Sequence, residues 1–554
     1  MYMWNFNKYN EEAEKTGGDY WSFLDATTDT ILNDNIFLYK IHEVIKEIKN
    51  EDLKLKMKKK IFDLIVEKGI FFNGLENSLD LFSCDELKSF FEHEFNITII
   101  KYIDSQDKIR CHNYDIINFI NLLEKVNDSE WEYRMITNIL NIINNHSDKV
   151  SLINIVESNK NHSKIYNRLI RDYHSYFPEE YKNFLKMNQD PYYMYNKSLQ
   201  FMNEDIDIGI DPKISIGPEI EANNDYNIKV DFNQQKGFEG YDFYSDATVA
   251  NGSEIAPNRP FHNVKEDVAK FCGLCEALKD IGYYYNEEHG NTAGQINLGL
   301  DYLDTKEAIL NFYEIYGNCE ELLYFISSEE GQLFRQNVYS SSRIKPISEI
   351  IGKRVLDEEL SRNDVIKLFN SSNRYIEDES FNGLQYKKNS VCLRGNHEQN
   401  YRLEFRIPNG GCNYKTWIDN IRLYGKMMEV SKRLADSMNK GELSNDDERL
   451  LRIKIDLQDN TLSNEEKLVL LMNLLFEEDN IKQIYYDRYI STIKKITETN
   501  SDNYVNYNSN FEPNFDEVQF TGYYQSRLNP EFNEDGIVIE YDPETNTITS
   551  NRKK

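Results

Sequence analysis

Residues 214–222 read ISIGPEIEA, and the alternation of apolar and polar side chains in this stretch predicts a β-strand. In a strand, Glu219 and Glu221 point to one face, whereas Ile216 and Ile220 point to the other. The two carboxylates then lie about 6.6 Å apart and, at an effective dielectric constant of about 20, repel each other by about 2.5 kcal/mol. A solvated face tolerates this repulsion, but an enclosed face requires a cation.

The composition is that of a globular protein with several hydrophobic cores. The chain has 554 residues, of which 40% are hydrophobic, and this length suits roughly two to four domains. Its 64 basic and 94 acidic residues give a formal net charge of −30. This charge opposes sequence-independent binding of nucleic acid or of an anionic membrane, so we expect neither partner.

The N-terminal segment and the cysteines predict a soluble cytoplasmic protein. The segment MYMWNFNKYNEEAEK has neither the basic start nor the apolar core of a targeting signal, and no apolar run approaches the roughly 18 residues of a membrane span. The seven cysteines are scattered and odd in number, which fits reduced thiols better than a disulfide framework.

Cys272 and Cys275 form the motif CGLC inside the helical pattern VKEDVAKFCGLCEALKDIGY. We interpret them as packed helix residues because no second cysteine pair or histidine lies at metal-ligand spacing. Redox or metal chemistry is the alternative.

The spacing of apolar residues changes along the chain. From about residue 20 to 190, apolar residues recur at helical spacing, as in RMITNILNIINN, which predicts an all-α region. From about 197, short alternating runs predict strands. These runs are LQFMNEDIDIGI, KISIGPEIEA, GSEIAP, GQINLGL, SVCLR and YRLEFRIP, with helices expected at about 264–282, 305–326, 361–371 and 414–438. The fold class is therefore α+β with a mainly antiparallel sheet.

Two capping signals and one turn signal complete the prediction. Ser444 with Asp447, and Ser463 with Glu466, each precede an apolar helical run. The segment GIVIEYDPETNTIT predicts a hairpin around Asp542. We predict four regions: a helical region at 1–195 that could bind a protein partner, a catalytic domain at 196–440, a helical extension at 441–500 and a polar tail with the hairpin at 501–554.

Several predicted strands carry charge on one face only. In YRLEFRIPNGG, one face holds Arg402, Glu404 and Arg406, whereas the other is apolar. The same alternation adds Gln295 and Asn297 from AGQINLGL, Arg394 from SVCLRG and Glu254 from NGSEIAP.

For any single strand, a solvated outer face is the usual interpretation. The whole set, however, consists of glutamates, arginines, carboxamides and glycines. Glutamate oxygens are hard ligands for Mg²⁺, and arginine matches phosphate or carboxylate oxygens in a bidentate way. Glycines let a ligand or a neighbouring backbone approach closely, and those on these strands are Gly217, Gly252, Gly294 and Gly299. This combination favours a reaction over solvation.

Four of these segments, in this order, carry a resemblance to a known family. GPEIEA, SDATVANGSEIAP, AGQINLGL and RLEFRIPNGG resemble the signature segments of the amidoligase family, a branch of the glutamine synthetase and glutamate–cysteine ligase superfamily. The resemblance runs from about 213 to 430. It implies a glutamine synthetase-like core, with a curved antiparallel sheet flanked by helices, and an ATP- and Mg²⁺-dependent ligase that joins a small-molecule or peptide carboxylate to an amine through an acyl phosphate.

The resemblance also implies roles for individual residues. The implied Mg²⁺ ligands are Glu219, Glu221, Glu254 and Glu404. Arg406, with Arg402 and Arg394, would bind the transferred phosphoryl group, the nucleotide or the substrate carboxylate. Asp246 matches the acidic turn and could orient the amine.

The chain departs from the family at one place. Gln295 and Asn297 stand where the family has histidines, the first of which is a metal ligand. A carboxamide oxygen is a hard neutral ligand, so Gln295 could still bind the metal and both residues could contribute to the cofactor site. The alternatives are a catalytically silent member that binds nucleotide or peptide, and a phosphotransferase that stops at a phosphorylated product. Two loop histidines lie near the motifs. We interpret His289 as an exposed residue, with a contribution to the site as the alternative, and His397 as structural.

Overall fold

A computed structural model describes residues 128–145, 149–204, 206–226, 228–245, 252–285, 294–332, 360–366, 390–396, 399–441, 443–498, 537–542 and 547–552, with short stretches between 51 and 88. The chain divides into two compact units, Met1–Lys182 and Asn183–Lys554. The boundaries predicted at 195, 440 and 500 stay predictions.

Helices make up most of the described chain. They are α1 Ser129–Asn145, α2 Lys149–Ser158, α3 Ser163–Tyr173, α4 Glu179–Gln189, α5 Tyr193–Glu204, α6 Lys265–Asp280, α7 Lys306–Ile326, α8 Tyr414–Lys440, α9 Asn445–Asp456, α10 Asn464–Leu475 and α11 Asp479–Glu498. Both predicted capping boxes are present, at the N-termini of α9 and α10. Every helix in the described part of the chain is too short or too polar to cross a membrane.

The strands form one large antiparallel sheet and one hairpin. They are β1 Ile216–Asn224, β2 Tyr241–Ser245, β3 Gly252–Pro257, β4 Tyr283–Tyr284, β5 Gly294–Gly299, β6 Val391–Asn396, β7 Gln399–Phe405, β8 Ile537–Asp542 and β9 Thr547–Arg552. The sheet order is β2-β3-β1-β5-β7-β6, and β4 pairs with β1 off this path. Strands β8 and β9 form the predicted hairpin. The α+β class with an antiparallel sheet is confirmed.

The apolar face of the sheet packs on the helices. Ile220, Ile296, Leu403 and Phe405 from three strands are all buried on this face. The Phe405 ring stacks on Tyr424 of α8, with centroids 4.1 Å apart and planes at 8°. The opposite face therefore carries the polar residues of the same strands.

One strand prediction is wrong, and two strands were missed. The run LQFMNEDIDIGI was predicted as a strand, but its first six residues complete α5. Met194, Ser198 and Phe201 are buried at helical spacing, so the apolar period of the preceding helix continues into this run. The sequence pattern did not predict β2 or the two-residue strand β4. The predicted helix at 361–371 is described over 362–366 only.

Candidate functional site

The charged face of the large sheet brings together nearly all residues singled out in the sequence. In register, Glu221 lies opposite Glu254 and Glu219 lies opposite Gln295. Asn297 on β5 pairs with Glu404 on β7, and Arg402 on β7 pairs with Arg394 on β6. Directly paired residues of antiparallel strands share a face, so these side chains lie on the surface opposite the apolar core.

One side of this face is acidic. We call Glu219, Glu221 and Glu254 the acidic end; they lie on the neighbouring strands β1 and β3. Glu221 is buried, with 4% of its surface exposed, and its Oε1 accepts a hydrogen bond from Gln295 Nε2 at 3.2 Å. Glu219 and Glu254 are half-buried. Three acidic side chains held close together and partly out of water make this part of the sheet attractive to a cation or an ammonium group.

The other side of the face is basic. We call Arg394, Arg402 and Arg406 the basic end, which surrounds the buried carboxylate of Glu404. Arg394 donates to this carboxylate from Nε at 3.2 Å and from Nη2 at 3.1 Å. Arg406 donates from Nη1 at 2.6 Å, and Arg402 Nη2 lies 3.9 Å from Glu404 Oε2. Three guanidinium groups around one carboxylate leave an excess of positive charge.

Arg402 is the open member of the basic end. Its side chain is 46% exposed, compared with 17% for Arg394 and 8% for Arg406. Arg394 and Arg406 donate hydrogen bonds to Glu404, whereas the side chain of Arg402 is partly exposed to solvent. An incoming anion would therefore meet Arg402 first.

Two carboxamides bridge the acidic and basic ends. Gln295 donates to Glu221 and accepts from Arg406 Nη1 through Oε1 at 2.8 Å. Asn297 donates from Nδ2 to Glu219 Oε1 at 2.8 Å and accepts from Arg402 Nε through Oδ1 at 2.7 Å. Each carboxamide thus presents its NH₂ group to a glutamate and its oxygen to an arginine, which fixes its orientation.

The two ends shift the pKa values of their carboxyl groups in opposite directions. Burial, followed by the charge of Glu404, raises the pKa of Glu219. Burial also acts to raise the pKa of Glu404, but the charges and hydrogen bonds of Arg394 and Arg406 outweigh it and lower this pKa. Glu404 therefore stays ionised within the arginine cluster.

The contacts of the implied Mg²⁺ ligands indicate which of them could bind a metal ion. Among the described residues, no three histidine, cysteine, aspartate or glutamate side chains form a ready-made metal site. Glu404 lies two strands from Glu219, about 10 Å across the sheet, and faces guanidinium groups. The oxygen of Gln295 is engaged by Arg406. The acidic end fits a hard cation better, because Mg²⁺ commonly takes one or two carboxylates and completes its shell with phosphate oxygens and water.

A turn segment closes the end of the site near Glu221. The backbone N–H of Gly411 donates to the carbonyl oxygen of Glu221 at 2.9 Å, and that of Gly294 donates to the Pro408 carbonyl at 2.9 Å. Gly411 has φ of +100°, a conformation that favours glycine. The NGG part of the motif thus ties β1 and β5 to the start of α8.

Three of the residues discussed in the sequence lie outside the described residues, namely Asp246, His289 and His397. The role assigned to Asp246 stays a prediction. The CGLC cysteines, Cys272 and Cys275, are free and buried in α6. Their burial inside the helix is that of packing residues, as predicted. Burial also raises the pKa of Cys272 to about 12, which disfavours the reactive thiolate.

Two further residues lie on this face and were not predicted from the sequence. Tyr244 on β2 pairs with Glu254 and is 50% exposed; its hydrogen bond to Asp242 raises its pKa, with contributions from Glu254 and Glu219. Asn223 follows Glu221 by two residues on β1 and is buried. The alternation within YDFYS and the continuation of the β1 period were the signals for these two positions.

The chain is thus an α+β protein whose antiparallel sheet presents a polar face divided into an acidic and a basic end. No protein-family model matches it, and neither a curated protein nor a solved structure does.

Proposed function

We propose that this chain is an ATP- and Mg²⁺-dependent carboxylate–amine ligase with a glutamine synthetase-like core, acting in the cytoplasm. One observation carries the proposal: carboxylates and guanidinium groups occupy opposite ends of one sheet face and are joined by two bridging carboxamides. A reaction between a nucleotide triphosphate, a carboxylate and an amine needs both a cation-binding end and an anion-binding end.

The proposed reaction has two displacements. A substrate carboxylate oxygen attacks the γ-phosphorus of ATP, the bond to ADP breaks, and an acyl phosphate forms. An amine nitrogen then attacks the acyl carbon, loses a proton, and the carbon–oxygen bond to phosphate breaks. Phosphorylation is needed because an ionised carboxylate has a poor leaving group.

The residues of the site have separate tasks in this reaction. Magnesium, when bound, supplies neutralisation of phosphate charge, and Glu221 with Glu254 would hold it. Arg402 offers its exposed guanidinium to an anionic oxygen of the substrate or phosphate. Gln295 and Asn297 hold Arg406 and Arg402 in position. The acidic end also attracts the ammonium form of the amine.

Hydroxylamine trapping tests the proposal. The protein is incubated with Mg-ATP, hydroxylamine and a panel of amino acids and acidic peptides, and ADP and hydroxamates are followed by mass spectrometry. We expect hydroxamate formation that stops without ATP. The variant Glu221→Gln, which keeps the shape of the side chain, should lower ADP release by on the order of 10²-fold or more.

The matched control is Glu266→Gln, an acid on α6 that is 67% exposed. Its ADP release should equal that of the parent protein. Full activity of Glu221→Gln would contradict the proposal. Glu404→Gln is a poorer test of chemistry because Glu404 also holds three arginines together.

One observation favours a second candidate, a silent nucleotide-binding protein. Arg394 and Arg406 donate hydrogen bonds to Glu404, and the oxygens of both carboxamides accept hydrogen bonds from arginines. These groups already have partners within the protein, which leaves fewer of them to bind reacting groups. Calorimetry with Mg-ATP separates the candidates: binding without ADP release under the trapping conditions would favour the silent protein.

A further inference from the structure

Asn223 has a buried carboxamide oxygen with no hydrogen bond. Its side chain is 4% exposed, and within the described part of the chain Oδ1 accepts from no donor. Such orphan acceptors are rare in folded proteins because their desolvation is not compensated. A water molecule or an ion usually accounts for them.

The neighbouring residue on β1 does not share this feature. Asn224 points to the other face of β1, and both ends of its carboxamide are satisfied: Nδ2 donates to the Ile281 carbonyl at 2.9 Å, and Oδ1 accepts from Tyr226 N at 2.9 Å. Gln295 and Asn297 on the charged face also have bonded oxygens. Asn223 alone among these four carboxamides has an oxygen without a donor in the described structure.

The neighbours of Asn223 indicate which class of ligand its oxygen could bind. It shares its face with Glu221, two residues earlier, and Glu221 pairs directly with Glu254 on β3. The residue opposite Asn223 on β3 is Gly252, which fills no space with a side chain. Asn223 thus adds a neutral oxygen to the face that carries the two carboxylates, and a hard cation accepts such a ligand.

We propose that Asn223 Oδ1 is a ligand of a divalent cation held by Glu221 and Glu254. The inference rests on the proposed function for the metal and adds a residue that the family resemblance does not supply. A third ligand that is neutral agrees with the lack of any three-acid metal group among the described residues.

The test is titration of the full chain with MnCl₂ or MgCl₂ alone, by electron paramagnetic resonance for Mn²⁺ and by calorimetry for both ions. The variant Asn223→Leu should weaken Mn²⁺ binding by at least about tenfold, and Asn223→Asp should bind at least as tightly as the parent chain. Glu254→Gln is the positive control and should lose the site.

Thermal unfolding without metal distinguishes a ligand from a structural residue. Removing an orphan acceptor should leave the melting temperature of Asn223→Leu unchanged or raised, whereas Asn224→Leu should lower it because Asn224 makes two hydrogen bonds. A lower melting temperature for Asn223→Leu would overturn the inference.

The two proposals fail in different ways. If Asn223→Leu binds Mn²⁺ like the parent chain while Glu254→Gln does not, Asn223 is not a ligand and the ligase proposal stands. If the parent chain binds neither ion, both the inference and the metal part of the proposed function are overturned.

Discussion

Arg406 donates a buried hydrogen bond from Nη1 to Oε1 of Gln295 at 2.8 Å. Gln295 in turn donates to Glu221, so a single neutral side chain connects the basic end to the acidic end. A histidine could make the same two bonds only in its neutral form, because protonation converts its acceptor nitrogen into a donor. The carboxamide keeps both bonds at every physiological pH.

Replacing Gln295 by Leu should destabilise the fold by about 1–3 kcal/mol, because Arg406 and Glu221 each lose a buried partner. Urea denaturation measures this loss. A double-mutant cycle with Arg406→Leu isolates the bond, and we expect a coupling energy of about 0.5–3 kcal/mol. Additive effects of the two substitutions would show that the bond contributes nothing to stability.

Replacing Glu404 by Gln should cost about 3–5 kcal/mol, since it removes the carboxylate charge that three guanidinium groups surround and leaves buried positive charge. Arg402→Gln is the matched control. This arginine is half exposed and donates one hydrogen bond to Asn297, so its loss should cost about 1–2 kcal/mol, less than that of Glu404. Chemical denaturation of both variants at neutral pH gives the comparison. Equal costs would contradict the description of Arg402 as the open member of the basic end.

The Glu404 cluster should also give a defined pH dependence. The pKa of Glu404 is lower in the folded protein than its ordinary value, so its contribution is fully present above the unfolded pKa of about 4.3. It is lost as the pH falls through the folded pKa. The stability difference between the parent chain and Glu404→Gln should therefore shrink as the pH falls below about pH 4. A difference that does not shrink in acid would rule out an ionised Glu404 as its source.

Glu219 should behave in the opposite way. Burial and the charge of Glu404 raise its pKa, so folding favours the protonated carboxyl, and this contribution is lost as the pH rises through the folded pKa. Glu219→Gln should therefore stabilise the fold at pH 7, while the Gln oxygen can still accept from Asn297. The gain should disappear in acid, where the parent side chain is protonated; a gain of equal size at pH 4 and pH 7 would contradict this account.

The sequence predicted those parts of the fold in which the local spacing of apolar residues matches the residues that are buried in the structure. The strand alternation around Glu219 and around Glu404, and the capping boxes before α9 and α10, depend on residues close in the chain. These predictions are confirmed because the local sequence pattern and the final fold favour the same structure.

The parts that could not be predicted depend on distant contacts. The bridges through Gln295 and Asn297 join β5 to residues of β1 and β7 that are about 74 to 111 positions away in sequence, and no local pattern encodes which arginine each oxygen meets. The arginines around Glu404 are close to it in sequence, because Arg394 lies ten residues away and Arg406 two residues away. The strand pattern places them on its face, but it does not specify that they donate to this carboxylate. It showed only that charges of both signs share one face.

Gly294 is the position at which β5 packs against the 408–411 segment. A Cβ at this position would lie 2.5 Å from the Asn409 carbonyl oxygen and 2.8 Å from the Trp417 ring. Gly294→Ala should therefore force the 408–411 segment away from β5 and cost about 1–3 kcal/mol. The matched control is Gly217→Ala, whose Cβ would have its nearest contact at an ordinary 3.5 Å; alanine there should be neutral or stabilising by up to about 1 kcal/mol. Denaturant midpoints of the two variants measure the difference, and equal midpoints would show that the backbone of Asn409 does not approach β5 as closely as described.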